Sequence, residues 1–262
     1  MKVYLGKPGL EQNFIVCRSG SMRSTALFLG ASVATAANPR WVLQPDSANV
    51  DVISFNNTWA GGLPGLNTHI SAAFDDAALT LTYDVQNSAV QKNAYDVCNE
   101  DVFNQEVVEV FITGEGVGAA KPESYYEVEL TPAGTPWVGL DSNPGGDRAN
   151  LTHVLQRCDA VGTAILARDL RGAGSWRGEI RLPYALIGRG AAQPDGSRLY
   201  RANFFRVTMN PAPWKPVAGR VTRDMACDPS NCTYTCANCP GTAAPDFHHS
   251  GYFGELVLAK AK

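Results

Sequence analysis

The sequence predicts an all-β protein: a two-sheet antiparallel β-sandwich of jelly-roll or immunoglobulin-like type, with one short helix and a Cys-rich loop. Three observations predict it. Apolar and polar residues alternate over short runs, the mark of half-buried strands, because successive side chains on a strand point to opposite faces. The runs are bounded by Gly, Pro, Asn or Asp, in keeping with 25 Gly and 16 Pro among 262 residues. No long stretch keeps a helical period, and seven such runs follow one another, enough for two packed sheets.

Residues 78–85 set Leu79, Leu81, Tyr83 and Val85 against Thr80, Thr82 and Asp84. Residues 107–112 are apolar except for Glu109, which predicts a central strand. Residues 125–130 place Tyr126, Val128 and Leu130 opposite Glu127 and Glu129. Residues 162–167, 176–182, 200–208 and 252–258 complete the set. Residues 183–187 can form the short helix, with Pro183 in the first turn, where its missing N–H costs nothing. Residues 131–150 and 211–247 are expected to be long polar loops, the second containing Cys227, Cys232, Cys236 and Cys239. No linker divides the composition, so residues 37–262 read as one domain with a Cys-rich insertion at 227–239.

The N-terminal region reads differently. Met22 and Arg23 precede a short apolar run and then Ala34-Thr35-Ala36, the pattern of a secretory signal peptide at 22–36 behind an over-extended segment 1–21. That run is too short to span a bilayer. Removing residues 1–36 deletes Cys17 and leaves Cys98, Cys158, Cys227, Cys232, Cys236 and Cys239, an even set that suits disulfides in an oxidising compartment. Cys98 and Cys158 are the natural pair outside the cluster; the other four suit disulfides better than a four-cysteine zinc site. Asn56, Asn150 and Asn231 stand in glycosylation sequons within turn-like contexts. The expectation is a secreted, monomeric protein without a membrane span.

Charge and motif content exclude several functions. The net charge is −3, with no basic block, so nucleic acid is not an expected partner. No nucleophile elbow, phosphate loop or dinucleotide fingerprint is present. Glu106 and Glu109 stand three residues apart on one strand and face opposite sides, so they cannot flank a glycosidic bond. No enzyme activity is expected. Glu109 is informative for another reason. A carboxylate inside an apolar strand must meet a cavity, a cation or a hydrogen-bonding ligand. Asp84, Glu106, Glu127 and Glu129 are expected to solvate a strand face or hold a structural ion.

Six short motifs occur in order: VVEVF at 107–111 with Phe103 upstream, YYEVEL at 125–130, WRGEIRLP at 176–183, YRANFFRV at 200–207, PWKP at 213–216 and FHHSGYFGEL at 247–256. In this order they resemble the family 9 carbohydrate-binding modules and their DOMON-like relatives, over nearly the whole of residues 51–258. The resemblance implies a sugar, as a mono-, oligo- or polysaccharide, clamped between two aromatic loop residues beside an acidic partner. On this chain the clamp residues are Phe103 and Phe247, the acid is Glu109, and Trp214 is a further contact. The family uses Trp at both clamp positions, and sugar-binding members can carry Arg where this chain has Glu127. The resemblance also implies a structural calcium in some members, although no EF-hand loop is present. An aromatic ring covers the C–H face of a pyranose and contributes about 2–3 kcal/mol. The alternative is a haem-binding or redox DOMON-type domain, with Met209 and one of His69, His153, His248 or His249 as axial ligands. A purely structural module is the third reading.

Overall fold

The alternation becomes two stacked sheets in the computed structural model, which describes residues 38–44, 53–55, 57–58, 68–86, 88, 93–168, 174–209, 222–223, 225–228, 230–240, 242 and 245–260. In chain order the strands are β1 (Arg40–Leu43), β2 (Ile53–Ser54), β3 (Asn57–Thr58), β4 (Thr68–Phe74), β5 (Ala78–Val85), β6 (Val107–Thr113), β7 (Ser124–Leu130) and β8 (Pro136–Ser142). They continue with β9 (Thr152–Leu155), β10 (Gly162–Arg168), β11 (Trp176–Pro183), β12 (Ala191–Ala192), β13 (Arg198–Met209), β14 (Cys232–Cys236) and β15 (Gly254–Leu258). The larger sheet runs β1-β15-β13-β6-β7-β8-β9, with β12 and β14 also on β13 and β3 on β14; the smaller runs β10-β11-β5-β4-β2. The described pairings are antiparallel except β1 on β15, which is parallel. No helix among the described residues is long and apolar enough to cross a membrane.

The β-sandwich expected from the alternating runs is the fold observed. Leu79, Leu81, Tyr83 and Val85 on β5 and Ile180 and Leu182 on β11 meet Val108, Val110 and Ile112 on β6, Val128 and Leu130 on β7, and Phe204 on β13 in one buried core. Each such side chain, fully buried, is worth about 1.5–3 kcal/mol. Trp41 closes one end of this core edge-on against Phe204, with ring centroids 5.4 Å apart. The helix α1 (Tyr184–Ile187) follows Pro183, whose φ of −63° suits a helix entry, and stops at Gly188, where φ is 75°.

The two stretches expected to be loops are not loops throughout. Residues 131–150 contain β8, which pairs with β7 through a tight turn closed by Thr131 and Thr135. Gly139 hides that strand in the sequence because it interrupts the outward row Trp137, Gly139, Asp141. Residues 211–247 contain β14, which pairs with the C-terminal half of β13 beside the end of β15. Its alternation is masked by a cysteine at each end.

Candidate functional site

The chemistry lies on the face of the larger sheet that points away from the core. Strand register places Phe205, Glu109, Glu129 and Trp137 in one row across β13, β6, β7 and β8. The next row holds Phe111, Glu127 and Gly139. Residues opposite one another share a face, so these side chains lie together. Above them stand the 3-10 turn Val102–Asn104, Cys227, Tyr234 of β14, and the segment 245–248. Between sheet and cover is a cavity of about 330 Å³.

Phe103, Glu109 and Phe247 all line this one cavity, although the first and last are 144 positions apart in the chain. Phe103 is 42% exposed and stands at the rim. Phe247 is half-buried and stacks on Phe205, with centroids 4.2 Å apart and planes 18° apart, while Tyr234 meets its edge. Glu109 is buried, and its backbone carbonyl accepts a 3.0 Å hydrogen bond from the Tyr83 hydroxyl across the sandwich. That bond fixes β6 where Glu109 turns toward the cavity. Trp214, Asn56, Cys17 and the segment 22–36 lie outside the described residues.

Trp137 and Tyr234, which the sequence reading missed, also line it, as do Glu127, which stands where sugar-binding members can carry Arg, and His248, read only as a haem-ligand candidate. For Glu127 the signal was available, since it alternates onto the same face as Glu129 and pairs in register with Phe111. Trp137 lies nearly flat on β8, because a Cβ at Gly139 would come within 2.2 Å of its indole. Of the two expectations for Glu127 and Glu129, a solvated strand face or a structural ion, the first is corrected: both are buried under the cover. Glu106 is also buried and paired with Arg206, whereas Asp84 does stand at the surface, bonded to Arg177. Glu106 and Glu109 do face opposite sides of β6, but the cavity gathers carboxylates from neighbouring strands instead.

These carboxylates raise one another. Burial, then the charge of Glu129, pushes Glu109 well above the usual carboxylate range. Burial and the charges of Glu129, Asp141 and Glu109 do the same to Glu127. Burial raises Glu129 to about 8 and Asp141 to about 6. Burial, with the nearby charges of Arg148 and His153, lowers His248 to about 3, so its imidazole is neutral. The Tyr125 hydroxyl stands 2.9 Å from His248 Nδ1, and Asn143 Nδ2 donates to that hydroxyl and to the His248 carbonyl.

The cover is braced by disulfides joining Cys98 to Cys158, Cys227 to Cys232 and Cys236 to Cys239. With its sulfurs paired in this way, the cluster offers no four-thiolate zinc site. Asn231 is buried, and its side-chain nitrogen, the atom a glycan would need, donates to Ala226 O and Asp228 Oδ2. This corrects the view of Asn231 as a tolerant glycosylation position; Asn150 is exposed. Calcium takes about 6–8 oxygen ligands. Among the described residues the one group able to hold an ion is Glu127, Asp141 and His248, which includes an imidazole and does not fit calcium. Met209, the haem-ligand candidate, is buried with Val107, Trp137 and Val207, and no observation favours the haem reading.

A β-sandwich that carries a covered, aromatic- and carboxylate-lined cavity on one sheet has the architecture of a ligand-binding module. The model of carbohydrate-binding family 9 matches residues 44–213. The chain belongs to carbohydrate-binding family 9. Among solved structures, a protein of Bacteroides uniformis presumed to bind carbohydrate is similar at a TM-score of 0.58 and 14% identity, over 84% of this chain and 97% of its own. A family 9 module from Caldicellulosiruptor kristjanssonii in complex with cellotriose gives 0.52 and 13%, over 86% and 95%. A family 9 module from the same organism in complex with glucose gives 0.50 and 13%, over 85% and 97%. At these identities the likeness is one of fold. No curated protein matches the chain.

Proposed function

We propose that this carbohydrate-binding module holds its sugar in the cavity on the outer face of the larger sheet. The single observation that supports this reading is the meeting of Phe103, Glu109 and Phe247 around one cavity. A cavity of about 330 Å³ is within the range of small-ligand pockets. Phe103 offers an exposed apolar face for the C–H side of a pyranose, and the Glu109 carboxyl takes its rim hydroxyls. The bound modules from C. kristjanssonii make glucose and cellotriose the first ligands to test. Ordering costs offset much of the burial, so dissociation constants in the micromolar to millimolar range are expected, roughly −8 to −4 kcal/mol.

The module is non-catalytic in this reading, an accessory to recognition or breakdown of polysaccharide. It is secreted, with cleavage next to Ala37, and glycosylated at Asn150 if its host attaches glycans. Calorimetric titration with glucose, cellotriose and longer glycans tests the binding site. Saturable binding lost in Glu109→Gln supports it; unchanged binding in that variant places the sugar elsewhere. Release of reducing sugar from cellotriose would overturn the non-catalytic reading, and an N-terminus upstream of Met22 on the exported protein would overturn the processing.

A further inference from the structure

We propose that the floor of this cavity binds one divalent transition-metal ion of the zinc type through Glu127, Asp141 and His248. Each offers one ligand atom, and the three atoms lie within 4.8 Å of one another. They come from three places: β7, β8 and the covering segment 245–248. Zinc sits about 2.0–2.2 Å from carboxylate oxygen and imidazole nitrogen, so its ligands stand ~3–4 Å apart. Shifts well below the length of a side chain bring this group to that spacing.

A second observation points to a ligand independently of the grouping. Asp141 is wholly buried, yet no N–H group and no Ser, Thr or Tyr hydroxyl donates to its carboxylate oxygens, whose acidic neighbour is Glu127. Both oxygens of Glu129, two residues from Glu127 on the same face, are in the same condition. Buried polar atoms without partners are rare in folded proteins and call for an ion, a water or a bound group. Among the described residues, no ion pair reaches Glu109, Glu127 or Glu129, and Asp141 has only His248 Nδ1, at 3.5 Å. Arg206 is taken by Glu106, and Arg148, which lines the cavity, forms no ion pair with these carboxylates among the described residues. A dication on the floor would offset the charge of the carboxylates that bind it.

The donor set selects the ion. One imidazole with two carboxylates suits zinc, whereas calcium and magnesium favour all-oxygen shells. Glu127 and His248 line the cavity, so a fourth position on the ion opens toward it. Water fills that position, or a hydroxyl of a bound sugar. His248 Nδ1 now meets the Tyr125 hydroxyl at 2.9 Å, and the ion competes with that bond. Removing the hydroxyl therefore keeps or tightens ion binding.

The test is calorimetric titration of Zn²⁺ into the chelator-treated chain without sugar, repeated with Ca²⁺. One equivalent of Zn²⁺ is expected to bind in the micromolar range or tighter, with Ca²⁺ at least 100-fold weaker. Asp141→Asn and His248→Gln should each weaken Zn²⁺ at least 100-fold, Tyr125→Phe should not weaken it, and His69→Gln, on β4 of the other sheet, should leave it unchanged. Co²⁺ should give visible absorption that disappears in His248→Gln. If Asp141→Asn does not fold, His248→Gln decides. No saturable Zn²⁺ binding, a preference for Ca²⁺, or Zn²⁺ binding that survives both folded variants overturns the site. Binding of protonated glucosamine by a chain that refuses Zn²⁺ also overturns it, since the ligand then brings the positive charge. Glucose and cellotriose are titrated separately into chelator-treated protein. Failure there counts against the sugar site and not against the ion.

Discussion

The guanidinium of Arg206 lies 3.1 Å from Glu106 Oε1, with both side chains wholly shut away from solvent. Arg206 also donates to Thr68 Oγ1 and to the Gln86 carbonyl, so it ties β13 of one sheet to β4 and the end of β5 in the other. Burial opposes the charge on each partner, raising the carboxyl and lowering the guanidinium, and their mutual attraction offsets part of that cost.

Removing one partner should therefore cost far more than removing both. Arg206→Met is expected to destabilise the fold by about 3–5 kcal/mol, because it strands a buried carboxylate. Arg206→Met with Glu106→Met should recover most of that loss. Urea denaturation of the three chains measures the difference, and equal losses for the single and double variants would refute the pairing as the cause.

The two aromatic candidates should behave differently. Phe103 stands at the rim, so Phe103→Ala should weaken sugar binding by about 2–3 kcal/mol with little change in melting temperature. Phe247 stacks on Phe205, and Phe247→Ala should lower stability as well as affinity. Calorimetry beside thermal melts separates the two effects. A Phe103→Ala protein that unfolds easily but binds normally would make Phe103 an anchor of its own turn.

Gly139→Val should push the Trp137 indole off the strand, since even a Cβ would stand 2.2 Å from it. The expected stability loss is about 1–3 kcal/mol, that of an overpacked site. Ligand binding should fall at least 10-fold, because the displaced ring enters the cavity. Binding that is unchanged in a folded variant would remove Trp137 from the floor.

The Cys98–Cys158 bridge spans 60 residues and fixes the loop just ahead of Phe103. Replacing both by Ser should cost about 4 kcal/mol, the loop-closure value for such a span. Sugar affinity should fall as well at temperatures where the sandwich stays folded, since the rim must then be ordered on binding. Cys236–Cys239 closes a far shorter loop, so its loss should be much the milder.

The sandwich was legible because strand alternation is a local property, and residues 78–85, 107–112 and 125–130 carry it cleanly. β8 and β14 escaped because Gly139 and the cysteines of β14 break the apolar pattern at the positions that face the cover. Glu109 could be singled out, since a charge inside an apolar strand is conspicuous in one dimension. The carboxylate group as a whole could not: Asp141 joins Glu127 and Glu129 only through the register of β7 on β8. Nor could His248, which folds back over that face on a segment with no regular pattern.

The placement of Trp137 gives the protein an optical reporter of its own. Its indole is almost shielded from water, lies edge-on to His153 at 5.6 Å and lines the cavity. Trp41 and Trp176 belong to the core between the sheets, where a ligand on the outer face leaves their surroundings unaltered. An incoming ring or ion that displaces water or charge beside Trp137 should shift the emission of that fluorophore, so occupancy can be followed by light without a label.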